Sequence, residues 1–241
     1  MKAALRFGAV AAGAALALGT AGAATAATPA PSASATTQHG SGDRLAAVKA
    51  AAAARVQGRL ATLHALALAV QDSKFLTSSE QSALNGQINS DLSGLTALST
   101  KTANETTAAA VRTDEVSMVD DYRVYVLMAP QTRLTDALAA ESDAANTLQK
   151  AYVALQELLA RQSGGGTSQQ KSELADLQSE ITAAQSAIGN EVATELAIKP
   201  GPDETAIKNA LAPAKSATKT AHQDLVKARD DAKDLRGTLG S

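Results

Sequence analysis

The chain has 241 residues, with 22 Lys and Arg against 24 Asp and Glu, and neither cysteine nor tryptophan. It shows no basic stripe of the kind a nucleic-acid binder carries, and without cysteine it can form neither a lipid-anchored N-terminal cysteine nor a disulfide. Alanine exceeds one residue in five and aromatics make up 2%, so a core must accumulate from many small contacts along long helices, at roughly 25 cal/mol per Å² of apolar area buried.

Residues 1–27 read as a secretory signal peptide. Lys2 and Arg6 form the positive start, Phe7 to Leu18 the apolar stretch, and Ala24-Thr25-Ala26 the cleavage site, with Ala21-Gly22-Ala23 as second choice. The stretch is shorter than the ~20 residues that span a bilayer, and there is no twin arginine, so ordinary secretion is expected rather than an uncleaved anchor. Without Lys2 and Arg6 the balance is 20 basic against 24 acidic residues, a formal charge of −4. No later run is long and apolar enough to span a membrane. The expected location is therefore extracytoplasmic, free or held at the cell wall, with no membrane span after cleavage. Residues 28–42, TPAPSASATTQHGSG, form a Ser/Thr/Pro/Ala spacer with nothing to bury.

Residues 43–241 read as one all-α domain. Asp43 caps a first helix running to about Gln71, along which Leu45, Val48, Ala52, Val56, Leu60, Leu63, Ala67 and Val70 recur at three- and four-residue steps. Thr77-Ser78-Ser79-Glu80 is a capping box for the second helix, with Phe75 and Leu76 placed as a hydrophobic staple and Leu84, Ile88, Leu92, Leu95 and Leu98 as its face. Asn85-Gly86 lacks strand residues on its flanks, so it is a weak point in that helix rather than a hairpin turn. A second box, Thr102-Ala103-Asn104-Glu105, predicts a shorter third helix ending near Asp120.

The stretch from Asp120 to Arg133 differs from everything around it. Val124, Tyr125, Val126 and Leu127 favour extended backbone, and Pro130 pushes Ala129 out of the helical region while suiting the first position of the next helix. That next helix carries Leu134, Leu138, Glu141, Ala145, Leu148, Tyr152, Leu155 and Leu159, a heptad seam with one charged flaw at Glu141. Gly164 to Gly166 allow a reversal into a fifth helix with Leu174, Leu177, Ile181, Ala184, Ile188 and Val192 on its face, which predicts an antiparallel hairpin. Asp203 caps a sixth helix with Ile207, Leu211, Ala214, Ala217, Ala221, Leu225, Ala228, Ala232 and Leu235 inward; Pro213 is expected to kink or split it. The expected architecture is an elongated antiparallel bundle of five to six helices, built of coiled-coil-like hairpins, with one non-helical crossover.

Candidate ligand or partner residues are Asp121, Tyr122, Arg123, Tyr125 and Arg133, whose guanidinium and phenol groups suit a carboxylate or a sugar. The competing reading has the tyrosines filling a wide gap in the bundle and Arg123 paired with an aspartate to fix the crossover. Asp114, Glu115, Asp120 and Asp121 lack the alternating spacing and central glycine of a calcium loop, and His64 and His222 form no helical pair, so neither a metal nor a cofactor is expected. Ser216-Ala217-Thr218-Lys219 matches S-x-x-K without its companion motifs. The triple glycine is not followed by Lys-Ser/Thr, so it is no phosphate loop. With no nucleophile, base and orienting group in view, no catalytic residue is predicted.

The block Asp121-Tyr122-Arg123-Val124-Tyr125-x-Leu127-x-x-Pro130-x-x-Arg133, together with Lys74-Phe75-Leu76-Thr77 and the alanine bias, resembles secreted all-helical proteins of actinobacteria over residues 43–161. The resemblance implies export and a helical fold, and carries no activity with it. The expected function is a secreted, non-enzymatic structural or protein-interaction protein. It would dock an unknown protein or cell-envelope partner, or a second copy through the heptad seam. The alternative is a small-ligand or ion carrier with a pocket at the Tyr/Arg crossover.

Overall fold

The computed structural model describes residues 41–239, so the expected signal peptide and all but the last two residues of the spacer lie outside the described residues. Those last two already belong to the first helix. The chain is all-α: α1 (Ser41–Asp72), α2 (Ser78–Asn104), α3 (Ala108–Asp120), α4 (Ala129–Ala160), α5 (Ser168–Ile188), α6 (Glu191–Leu196) and α7 (Glu204–Leu239), with no strand among the described residues.

Local chemistry sets several boundaries. At the start of α2 the Glu80 N–H donates to Thr77 Oγ1 (3.3 Å) and the Thr77 N–H to Glu80 Oε2 (2.7 Å), the reciprocal box expected there. Of the staple pair only Leu76 turns inward; Phe75 stays 46% exposed. Thr167 and Gln170 make the same box at the start of α5. The Thr102 box does not form. Ile88, Leu95 and Thr102 lie seven residues apart on one buried face, so α2 runs on through Thr102 to Asn104, and Thr107 caps α3 instead. The fifth expected helix stops at Ile188, because Gly189 takes φ 40°, and the short α6 follows. Pro213 does not split α7. It lies on the exposed side, where the carbonyl it leaves without a donor, that of Asn209, is on a residue that is itself exposed.

The largest departure is at the crossover. No extended stretch forms; Val124–Met128 is a π-helical segment that runs straight into α4. Pro130 has no N–H to give Val126, and its ring would press on that carbonyl. Widening the turn, with the Ala129 N–H donating to Val124 O, accommodates it. The break itself is confined to Asp121, Tyr122 and Arg123.

Among the described residues two main cores are strung along the chain, with a small cluster of Leu127, Ile207 and Leu211 where the π segment meets α7. The first holds Val56, Leu63, Leu84, Ile88, Leu95, Met118, Val124 and Met128, from α1, the antiparallel α2, α3 and the π segment. The second lies among α4, α5 and α7. Leu138 shares one cluster with Ile188 and Ala214 at one end, while Leu159 shares another with Leu174 and Leu235 at the other. That order makes α4 and α7 parallel and α5 antiparallel to both. α4 supplies Ala129 and Ala139 to the first core and Leu138 to the second, so this rod of ~48 Å passes through both. The heptad seam is covered by the chain's own α5 and α7, and its charged flaw is matched by His222, whose Nδ1 lies 3.0 Å from Glu141 Oε1.

Candidate functional site

Arg123 is the pivot of the crossover. Its backbone is left-handed (φ 41°, ψ 39°), a conformation that costs an ordinary side chain ~1–2 kcal/mol. The side chain offsets this. It is buried, its Nε donates to Gly201 O (2.6 Å), and its Nη2 donates to Asp120 Oδ1 (2.9 Å) and to Pro202 O. Glu204, at the start of α7, lies 4.0 Å away. One guanidinium therefore ties the end of α3 to the loop that launches α7, using the fork of donors that a lysine lacks.

The neighbouring tyrosines face different helices. Tyr122 is half-buried against α2, where a Cβ added to Gly94 would sit 2.5 Å from its Cε1; only glycine admits the ring. Burial pushes the Tyr122 phenol pKa up, with Asp121 and Asp91 adding to it. Asp91, on α2, is itself pushed up to about 6 by burial. Tyr125 is 52% exposed and lies under Arg59 of α1, whose guanidinium carbon is 5.2 Å from the ring centroid. Burial lowers the Arg59 pKa, and Tyr125 acts against that shift. Asp121 and Arg133 point to solvent; the Asp121 N–H ends α3 by donating to Ser117 O (2.9 Å).

The five candidates thus do not converge. Arg123 goes to the α7 loop, Tyr122 to α2, Tyr125 to α1, and Asp121 and Arg133 outward. The acidic residues are dispersed too: Asp114 pairs with Lys101 and accepts from Thr102 Oγ1 (3.1 Å), Glu115 pairs with Arg55, and Asp120 with Arg123. Among the described residues no group of three or more His, Cys, Asp or Glu side chains is placed to share a metal ion. In the S-x-x-K stretch Ala217 and Thr218 are buried in α7 while Ser216 and Lys219 are exposed, and the Thr218 hydroxyl donates to Ala214 O (2.8 Å). A groove of about 270 Å³ between α1 and α2, lined by Lys49, Ala53, Val56, Ser99 and Thr102, is reached by none of the crossover residues. No described helix is long and apolar enough to cross a membrane.

Sequence reasoning passed over a second polar cluster. Gln131 and Thr135 of α4 and Glu195 of α6 are all at most 1% exposed. Gln131 Nε2 donates to the Glu195 backbone oxygen (2.6 Å), yet Gln131 Oε1, Thr135 Oγ1 and both Glu195 carboxyl oxygens lack a well-formed hydrogen bond. The spacing held a signal: Ile181, Ile188 and Glu195 are seven apart, which puts a carboxylate in the register of an apolar stripe.

No protein-family model, curated protein or solved structure matches the chain.

Proposed function

We propose that the protein is an exported, non-enzymatic structural or protein-interaction protein, whose helical faces engage a protein or cell-envelope partner or a second copy. The observation that carries this reading is the use made of the crossover. Arg123 bonds backbone carbonyls ahead of α7, and Tyr122 fills the notch at Gly94. These groups support architecture and leave helical surface as what the molecule offers. On that surface Leu68, Val116 and Val119 stand exposed on α1 and α3, and Val153 and Leu158 on α4. The signal-like N-terminus and the likeness to secreted helical actinobacterial proteins support export. The heptad seam gives no reason to invoke a second copy, since α5 and α7 cover it. A ligand pocket at the crossover draws no support from side chains that diverge.

Sedimentation velocity on the secreted chain, combined with cross-linking and pull-down from envelope fractions, tests the reading. A saturable partner or a dimer is expected. A monomer that retains nothing, and that gains thermal stability from sugars, peptides or divalent ions, would overturn it in favour of the carrier.

A further inference from the structure

The polar cluster of Gln131, Thr135 and Glu195 sits where α6 meets α4, and α6 lies at the seam of the molecule. Leu196 packs on the first core and Val192 on the second. Gln87 of α2 donates to Leu196 O (2.9 Å), and Gln131 donates to Glu195 O. Two features bound this segment. Gly189, with φ 40°, lies before it, and Gly201 and Pro202, held by Arg123, lie after it.

The chemistry of the cluster favours one protonation state. Four buried oxygens want donors: Gln131 Oε1, Thr135 Oγ1 and the two of Glu195. With one Gln131 N–H committed to the Glu195 backbone oxygen, an ionised Glu195 leaves the other Gln131 N–H and the Thr135 hydroxyl as the side-chain donors for these four oxygens, and sets a bare charge in the interior, which is costly without a cationic partner. A carboxylic acid removes the charge and adds a further donor. Its O–H can serve Gln131 Oε1 while the Thr135 hydroxyl serves its carbonyl oxygen, and every oxygen then takes part. Among the described residues no cation is at hand. The charged group that acts on the carboxyl is Glu191, of the same sign on α6 itself; from α4 it meets the neutral Gln131 and Thr135, and no charged group of α2, α5 or α7 acts on it. Burial accordingly pushes the Glu195 pKa up to about 8, with Thr135 alone opposing.

We infer that α6 is a proton-operated strap, docked across the two cores while Glu195 carries its proton and released between Gly189 and Gly201 when Glu195 ionises. A raised carboxyl pKa means that the docked state binds the proton more tightly than the open one. Its stabilisation is complete below the ordinary value of 4.5 and is lost as pH rises to about 8. Between those limits the opening equilibrium rises about tenfold per pH unit.

Hydrogen exchange on the intact chain, corrected for intrinsic rates, reads this directly. In the wild type, protection of residues 191–196 should fall about tenfold per unit across that window while α4 and α7 hold theirs; Glu195→Gln, which keeps a donor and an acceptor, should remove the slope. Carboxyl-carbon NMR of the wild type needs no variant and should show one glutamate titrating far above the rest. A slope identical in wild type and Glu195→Gln, or glutamates that all titrate in the ordinary range, overturns the inference.

Discussion

The two cores solve one compositional problem differently. In the first, only two of thirteen buried residues are alanine, so Leu63, Leu84, Ile88, Leu95 and Met118 carry the packing where α1, α2 and α3 meet the crossover. At the Leu138 end of the second, five of eight are alanine: Ala145, Ala184, Ala214, Ala217 and Ala221. Large side chains fill the uneven space left by helices that meet at a break. Alanine suits long rods that run side by side, where closeness replaces bulk. The first core should therefore be sensitive to lost volume and the alanine-rich end of the second to added volume.

That contrast can be broken by substitution. Leu63→Ala in the first core is expected to lose ~2–5 kcal/mol in urea unfolding, because the fully buried side chain leaves a cavity. Ala221→Leu, at an equally buried position of the second, should cost ~1–3 kcal/mol by crowding. If Ala221→Leu were neutral, that end of the second core would be loose and the contrast would fall.

Next in size is the tie between the halves. Arg123→Ala should cost about 3 kcal/mol, the low end for breaking a buried ion pair, since Asp120 keeps some access to water. Arg123→Gly relieves the left-handed backbone and should recover part of that loss. Equal losses in the two variants would show that the guanidinium alone matters. Gly94→Ala should cost ~1–3 kcal/mol by displacing the Tyr122 ring; combined with Tyr122→Leu it should cost measurably less than the sum of the single changes. The smallest effect is a gain. Gly86 is exposed within α2, with open space where a methyl group would go, and changing it to Ala should stabilise the first bundle by ~0.5–1 kcal/mol.

Much of the fold is written in three- and four-residue spacing. The faces of α1, α2, α4, α5 and α7 bury Leu63, Leu84, Leu138, Ile181 and Leu225 as the pattern requires. Short local signals were less dependable. The Thr77 box formed because the chain needed a helix start there; the Thr102 box was overridden by an apolar stripe that kept its phase for another turn, with Asp114 as the hydroxyl's partner. At Val124–Leu127 β-favouring residues became helical because Val124, Leu127 and Met128 are buried, a tertiary demand that local preference cannot express. Among the site residues, the pairing of Arg123 with an aspartate could be read from their nearness in sequence. Its bonds to Gly201 and Pro202 could not, because nearly eighty residues intervene. Glu195 escaped notice because Gly189 interrupts the helix whose phase would have exposed it.

The passage of α4 through both cores has a mechanical side. A force applied to one half would reach the other along this helix, because its side chains are packed into both. For a polypeptide that we propose works outside the cell, that arrangement couples two modest assemblies of helices into one load-sharing unit.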